Sequence, residues 1–228
     1  MPEAIKTISI IAIMRSQFWF KALGTTGYTA LFFSAYLHLL NHPYFTVTTL
    51  PATWLDRAIG IEPAALPVYL SLWCYVSLAP LLMLTRKEII DYGIRMALPC
   101  AGGLLVFLFW PTAVPPAEID WARYPGMAFL KGVDAAGNAC PSLHVATAVF
   151  TAVWLHVRLQ WIGLGVGWRA VNLLWCLAIA YSTLATRQHV ALDVAAGIGW
   201  GLVAAWLTHL ADHARNQPNL NATQLAPA

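Results

Sequence analysis

Residues 188–210 have the sequence QHVALDVAAGIGWGLVAAWLTHL, an apolar run with His189 near its start and one carboxylate, Asp193, a turn further on. A spanning α-helix needs about 20 mostly apolar residues, so this stretch predicts a helix that crosses a bilayer. A carboxylate at membrane depth is costly in lipid and usually faces a bundle interior or a polar cavity. The stretch therefore predicts a membrane helix with a functional polar end.

The composition of the whole chain also favours a lipid bilayer over water as its surroundings. Of its 228 residues, 59% are apolar and only 10% are charged, whereas a soluble domain usually carries about 25% charged residues. The 11 Trp and 8 Tyr residues fit a bilayer too, because amphipathic rings collect at its interfaces. No basic run indicates nucleic acid, and the four widely spaced cysteines predict neither a disulfide framework nor a metal site.

Six apolar runs predict an all-α integral membrane protein, a six-helix bundle that forms a single domain over residues 1–215. Backbone groups in hydrocarbon must be paired within their own segment, so helices are expected. The short run 8–14 predicts an interfacial helix, Gly102-Gly103 predicts a kink or close helix approach, and residues 216–228 predict a disordered tail. The expected spans are about 23–40, 65–84, 95–114, 142–159, 168–183 and 188–210.

The distribution of positive charge predicts the orientation, since cytoplasmic loops carry an excess of Lys and Arg. One side carries nine such residues: Lys6, Arg15, Lys21, Arg86, Lys87, Arg95, Arg158, Arg169 and Arg215. The other side carries four: Arg57, Arg123, Lys131 and Arg187. We therefore expect a multi-pass protein of the cell membrane with both termini in the cytoplasm. The loops before residues 142 and 188 then face the outer, periplasmic or lumenal, side.

Two polar clusters lie on that outer side. In the first, Ser142 is a good N-cap and places His144 in the first turn of a helix, where free N–H groups bind anions. In the second, His189 and Asp193 are four residues apart and share one face of the sixth helix, with Thr186 as its expected cap. A carboxylate so placed fixes the tautomer of the imidazole and makes its other nitrogen a better nucleophile.

This set of residues suits phosphoryl transfer, which mainly needs charge stabilisation and in-line positioning. We expect His189 to attack phosphorus, Asp193 to orient it, and His144 to act as general acid and then base. The chemistry requires no metal or cofactor; a zinc site is possible by ligand type but is disfavoured by the nearby Arg187. The expected phosphate-binding residues are Arg187, Ser142, Lys131 and Arg123.

At these residues the chain resembles the type 2 phosphatidic acid phosphatase superfamily. The second motif of that superfamily, Pro-Ser-Gly-His, has its counterpart in Pro141-Ser142-Leu143-His144. Its third motif has counterparts in Ser182, His189 and Asp193. The resemblance covers about residues 110–201, and it implies that His189 is the nucleophile, Asp193 its partner and His144 the general acid.

The chain departs from the superfamily pattern at two places. Thr183 stands where the third motif has Arg, and Arg187 lies two residues before His189 instead. The stretch 109–116, where the basic first motif is expected, carries no Lys or Arg. The combined pattern is similar to the divergent branch related to inositol phosphorylceramide synthases, which includes phosphotransferases as well as phosphatases.

Three functions are compatible with these residues. The first is a membrane lipid phosphatase that hydrolyses a lipid phosphomonoester or diphosphate through a phosphohistidine. The second is a lipid phosphotransferase that passes a head group to an alcohol. The third is a non-catalytic lipid-binding or transport protein, although the sequence lacks the internal repeats common in transporters.

Overall fold

A computed structural model describes residues 10–117, 119–133 and 137–216 of the chain. Apart from Asn216, the predicted tail 216–228 lies outside the described residues. The mostly helical architecture is confirmed. The helices are α1 (Ile10–Arg15), α2 (Phe18–Asn41), α3 (Trp54–Ala58), α4 (Leu66–Leu70), α5 (Leu72–Leu81), α6 (Arg86–Phe109), α7 (Pro125–Val133), α8 (Leu143–Trp161), α9 (Val166–Ala185) and α10 (Ala191–Asn216).

Short elements outside the long helices were not predicted. Two strands of two residues each, β1 (Thr48–Thr49) and β2 (Thr112–Ala113), pair in parallel. Short 3₁₀ turns cover Pro63–Ala65 and Trp121–Arg123. The strand pair ties the loop after α2 to the loop after α6, so it fixes the backbone at the end of the bundle where α8 begins.

Three helical stretches of the described chain are both long and apolar enough to cross a membrane. These stretches are Pro63–Leu81, Arg86–Phe109 and Ala191–His209. Helices α2, α8 and α9 have the length of a span, at 24, 19 and 20 residues, but Thr, His, Asn or Arg interrupts their apolar runs. The count of six spans thus stays a prediction.

Helix α6 begins at Arg86, well before the expected start near residue 95. A capping box explains the early start, because Thr85 Oγ1 accepts from the Glu88 N–H and the Glu88 carboxylate accepts from the Thr85 N–H. This reciprocal cap satisfies two N–H groups that otherwise lack partners. The charged residues expected in a loop therefore form the first turns of the helix.

Helix α8 lies at the centre of the bundle. Val145, Ala148 and Phe150 are fully buried, and α8 packs against α5, α6, α9 and α10. Glycines let α10 approach its backbone directly, because a Cβ atom at Gly197 would lie 2.5 Å from Ser142 O and one at Gly201 2.6 Å from Ala146 O. Close contact between small residues is a common way of packing helices in membranes.

The predicted close approach at Gly102-Gly103 is confirmed. A Cβ atom at Gly102 would lie 2.2 Å from the Trp200 ring, and one at Gly103 would lie 2.3 Å from the Leu143 side chain. Helix α6 thus packs tightly against both α10 and α8. Substitution of either glycine would push these helices apart.

The first residues of α8 and α10 lie at one end of the bundle, which we call the upper end. Two hydrogen bonds between loops support it: Cys140 N donates to Thr112 Oγ1 at 2.8 Å, and Glu62 N donates to Ala185 O at 2.9 Å. At the lower end, the buried Lys21 donates to Ile13 O at 2.7 Å and Leu81 O at 2.9 Å. The two predicted polar clusters therefore meet at the upper end.

Candidate active site

The N-terminus of α8 carries the first histidine. Ser142 is fully buried, and its Oγ accepts from the Val145 N–H at 3.3 Å, which confirms its predicted role as the N-cap. The Ser142 N–H donates to Asp193 O at 3.0 Å. His144 in the first turn of α8 is therefore held beside the first turn of α10.

The His144 ring is fixed by Tyr69 at the end of α4. The two rings stack with centroids 4.1 Å apart and an interplanar angle of 17°. His144 Nε2 lies 3.1 Å from Tyr69 O, and because a carbonyl oxygen can only accept, Nε2 carries the hydrogen. This contact leaves Nδ1 as the nitrogen of His144 that is available for proton transfer.

The second histidine, His189, lies in the loop before α10. The prediction placed it on the helix, but α10 begins only at Ala191. The contact with Asp193 forms nevertheless: His189 Nδ1 lies 3.2 Å from Asp193 Oδ1, an ion-pair distance without the direction of a well-formed hydrogen bond. Catalytic hydrogen bonds often tighten only when the reacting group is bound. Since Nδ1 faces Asp193, Nε2 is the nitrogen on the opposite side of the ring.

Carboxylates already cap the N-terminus of α10. Asp193 Oδ2 accepts from the Val190 N–H at 3.3 Å, and Asp56 Oδ1 accepts from the Ala191 N–H at 2.7 Å. The expected cap, Thr186, instead donates its hydroxyl to Ser182 O at 2.7 Å and so ends α9. The prediction of a Thr186 cap is wrong because two acidic side chains satisfy these N–H groups better.

Arg187 connects the same loop to α3. Its backbone is left-handed, with φ 57°, and its guanidinium donates to the carbonyl oxygens of Asp56 and Ile59, the latter at 2.8 Å. The prediction gave Arg187 to the phosphate. The structure shows these carbonyls as its contacts, so Arg187 joins the loop of His189 to α3, and its role toward phosphate stays a prediction.

The electrostatics at this end of α10 are dominated by buried negative charge. Asp56 is 3% exposed and Asp193 is fully buried. Their position is favourable because the N-terminal end of a helix dipole stabilises anions. Burial, with a smaller contribution from the Asp193 carboxylate, raises the pKa of the nearby Cys140 thiol and so favours its protonated form.

The remaining predicted phosphate-binding residues, Arg123 and Lys131, belong to the segment between α6 and α8. Arg123 is exposed, and its Nε pairs with Asp120 Oδ2 at 3.2 Å. The Lys131 side chain lies outside the described residues. The role of Arg123 and Lys131 toward phosphate therefore stays a prediction.

Gln188 is an unusual neighbour of His189. It is 3% exposed, and neither Oε1 nor Nε2 has a hydrogen-bond partner among the described residues. A buried polar group without a partner costs about 1–3 kcal/mol, and such a group calls for an explanation by water or a ligand. The amide of Gln188 is therefore a candidate ligand-binding group.

His144 and His189 line one cavity of about 290 Å³. Tyr69, Trp73 and Asn138 complete its upper end. The Asn138 side chain donates to Tyr36 O at 3.0 Å, which fixes the loop that leads into α8. The structure thus brings together the two histidines that lie 45 positions apart in the sequence.

Several residues of this region were not predicted. Tyr69 contacts His144, and Asp56 contacts Ala191. Both pairs are distant in sequence, so no local pattern reveals them. Thr53-x-x-Asp56 is a capping-box signature that could have identified the cap of α3, and this box is formed. Nothing in the sequence, however, links Asp56 to α10.

These observations define a helical membrane protein with a histidine–carboxylate site at one end of its bundle. The model of the PAP2 superfamily matches residues 101–217, half of the chain, and the chain belongs to that superfamily of phosphatases and phosphotransferases. The match includes the whole of α8, α9 and α10, and so both histidines. No curated protein and no solved structure matches the chain. The predicted resemblance is confirmed for the superfamily, and the inositol phosphorylceramide synthase-like branch stays a prediction.

Proposed function

We propose that the chain is a membrane lipid phosphatase that hydrolyses a lipid phosphomonoester or diphosphate through a phosphohistidine. The observation that carries the proposal is the shared cavity of His144 and His189, with a buried carboxylate 3.2 Å behind the second ring. Superfamily membership supports lipid phosphate chemistry in general. The geometry supports particular roles for the two rings.

In the first step, the Nε2 lone pair of His189 attacks phosphorus and forms a P–N bond. The bond from phosphorus to the lipid oxygen breaks, and the electron pair stays on that oxygen. In the complex with the anionic phosphate, His144 carries a proton on each ring nitrogen, and it donates the Nδ1 proton to this oxygen. The ring is left neutral with its hydrogen on Nε2, and the lipid leaves as a neutral alcohol (as a phosphate ester, where the substrate is a diphosphate). Asp193 stabilises the positive charge that develops on His189, which is the role of the carboxylate in a catalytic triad.

In the second step, His144 Nδ1 accepts a proton from water while the water oxygen attacks phosphorus. The P–N bond breaks, its electron pair returns to His189 Nε2, and inorganic phosphate leaves. Throughout both steps, the Tyr69 carbonyl accepts from His144 Nε2 and holds the ring in one orientation.

The oxygens of the phosphoryl group need donors around them. We assign this role to the N-terminus of α8 with Ser142, to Arg187, and to Lys131 and Arg123 from the loop before α8. The α8 N-terminus has the best support, because His144 lies in its first turn and helix N-termini bind phosphate. The positive charge of Arg187, two residues from His189, adds favourable field at the site.

The proposed topology is a six-span bundle with both termini in the cytoplasm and the site on the outer side. Its support is geometric, because six helical stretches have 19 or more residues: α2, Pro63–Leu81, α6, α8, α9 and α10. About 20 residues suffice to cross the hydrocarbon core. Lys21, Arg86 and Arg158 lie at the lower end, which fits a cytoplasmic face.

The test is a product screen of the purified protein against phospholipids and polyprenyl phosphates, with and without alcohol acceptors. We expect release of inorganic phosphate that persists in EDTA. His189→Ala and His144→Ala should lose at least 10³-fold in rate, and radiolabelled substrate should leave acid-labile phosphate on the wild type but not on His189→Ala. His156→Ala is the matched control, because His156 is an exposed histidine on α8.

Two outcomes contradict the proposal in different ways. Transfer of the phosphoryl or head group to the alcohol, without hydrolysis in water, assigns the chain to phosphotransferases. Activity that chelation abolishes and zinc restores disproves the metal-independent mechanism.

A further inference from the structure

The cavity that holds the two histidines is much longer than a phosphate needs. It is lined at the upper end by Tyr36 and His144 and near the lower end by Gly24. On α2, the stretch from Gly24 to Tyr36 covers about 18 Å at about 1.5 Å per residue. One leaflet of the hydrocarbon core is about 15 Å thick, so the cavity is as deep as a leaflet.

The walls of the cavity change in character along its length. The described polar groups with catalytic chemistry, His144 and His189, lie at the upper end. Below them, the lining is dominated by apolar and aromatic side chains, among them Phe20, Leu72 and Met96. Such a lining disfavours a second charged group on the ligand and favours a hydrocarbon chain, because burying apolar surface away from water is stabilising.

The cavity borders a second depression on the side of the bundle. This depression lies on the outer surface of the seam between α2 and α5, and it shares Phe33, Tyr69 and Trp73 with the cavity. The rings of Phe33 and Trp73 touch across this seam, with centroids 5.0 Å apart, and Trp73 is 39% exposed. The side chains that the cavity and the depression share therefore form a thin wall between them at this seam.

Two glycines mark the empty part of the cavity. Gly24 on α2 and Gly93 on α6 line it, and an added Cβ atom at either position meets no described atom within 4 Å. The space beside these glycines is therefore open, and a larger side chain would fill the cavity without a clash with its neighbours. Replacing either glycine with a larger residue is therefore expected to shorten the cavity.

We infer that the cavity binds one hydrocarbon chain of the substrate inside the bundle, with the phosphate between His144 and His189 and the chain running toward Gly24 and Gly93. The hydrocarbon chain enters the cavity at the α2–α5 seam. The inference rests on the proposed function and adds to it a substrate class: lipid phosphates with at least one chain long enough to fill about 18 Å. The chain acts as an anchor that holds phosphorus in line with His189.

The experiment compares the consumption of hexadecyl phosphate and hexyl phosphate in nanodiscs. We expect the wild type to prefer the long chain by at least tenfold in kcat/KM. In Gly93→Leu, and separately in Gly24→Leu on the opposite wall, that preference should fall by at least tenfold. Gly27→Leu is the matched control, because Gly27 is also an exposed glycine of α2 with no described atom within 4 Å of an added Cβ but does not line the cavity.

The outcomes separate the inference from the function. The hydrocarbon-chain site is wrong, and the phosphatase stands, if the wild type consumes lipid phosphates but treats both alkyl phosphates alike. The same conclusion follows if both variants keep the wild-type preference while their melting temperatures are unchanged. If the wild type consumes no lipid phosphate in the product screen, the proposed function fails and the chain site falls with it. A variant that does not fold is replaced by its partner on the opposite wall.

Discussion

Asp193 serves both the helix and the chemistry at its N-terminus. One oxygen accepts from the Val190 N–H, and the other lies 3.2 Å from His189 Nδ1. Asp193→Asn keeps an oxygen for the cap but removes the charge that stabilises the imidazolium. We expect kcat to fall by about 10²–10⁴, by analogy with the loss seen when a triad carboxylate becomes an amide, while KM changes little. Steady-state kinetics with a long-chain lipid phosphate measures both values, and an unchanged kcat would show that the carboxylate is only structural.

Gln188 offers a test in which stability and activity move in opposite directions. Its buried amide has no partner among the described groups, so Gln188→Leu removes an unsatisfied polar group of about 1–3 kcal/mol. We expect the melting temperature in detergent to rise and the rate of lipid phosphate consumption to fall by about tenfold, since the substrate then loses a hydrogen bond. Gln160→Leu, at an exposed site on α8, is the control. A stabilised variant with full activity would show that Gln188 does not contact substrate.

The sequence predicted the residues whose signal is local. The spacing of His189 and Asp193 and the Ser142 cap are readable within four residues of chain, and both contacts are present. The stacking of Tyr69 on His144 was not predictable, because it joins positions 75 residues apart. A single sequence carries no record of such a pairing, so the residue that orients the proposed acid becomes visible only in the structure.

The N-terminus of α10 depends on α3 as much as on its own residues. Asp56 accepts from the Ala191 N–H, and Arg187 donates to the carbonyl of Asp56. Loss of an N-cap usually costs about 0.5–2 kcal/mol, and here it also frees the loop that carries His189. Asp56→Ala should therefore lower the unfolding free energy by about 1–2 kcal/mol and lower kcat more than it changes KM.

The controls for this prediction distinguish positioning from general damage. Asp56→Asn keeps an acceptor for the Ala191 N–H and should recover most of kcat. Glu62→Ala removes a comparable cap, at Ala64 N, from an exposed side chain and should leave kcat at the wild-type value. Equal losses of kcat in all three variants would mean that the hydrogen bond from the Ala191 N–H to Asp56, which joins α10 to α3, has no specific role.

Helix existence was predictable, and helix ends were not. Five of the six predicted runs fall on α2, α6, α8, α9 and α10, and the second falls on the helical stretch Pro63–Leu81, which contains α4 and α5. Continuous apolar sequence leaves little choice in a bilayer. The helix boundaries moved where capping decided them: Thr85 and Glu88 start α6 early, while the caps at Val190 and Ala191 start α10 late. Capping groups act over one turn and can override hydropathy at a helix end.

Several basic side chains and the two histidines lie at opposite ends of the bundle, as the proposed orientation requires. The buried Lys21 and the Arg158–Glu88 pair, at 3.3 Å, lie at the lower end, while both histidines lie at the upper end. Three described stretches satisfy length and apolarity as spans. The six-span arrangement follows only if α2, α8 and α9 cross as well, with their polar side chains turned toward the bundle and its cavity.

That arrangement predicts which loops face which compartment. In a variant with the four native cysteines replaced by serine, we expect a cysteine at Tyr44, in the loop after α2, to react with a membrane-impermeant maleimide in intact cells. A cysteine at Lys87 should react only after the membrane is opened. Both positions are exposed, with the Tyr44 residue 61% and the Lys87 side chain 88% accessible, so access to reagent and not burial decides the result. Labelling at Lys87 alone in intact cells would reverse the proposed orientation and place the phosphate chemistry on the cytoplasmic face. Labelling at both sites in intact cells would contradict the six-span arrangement, which puts them on opposite sides.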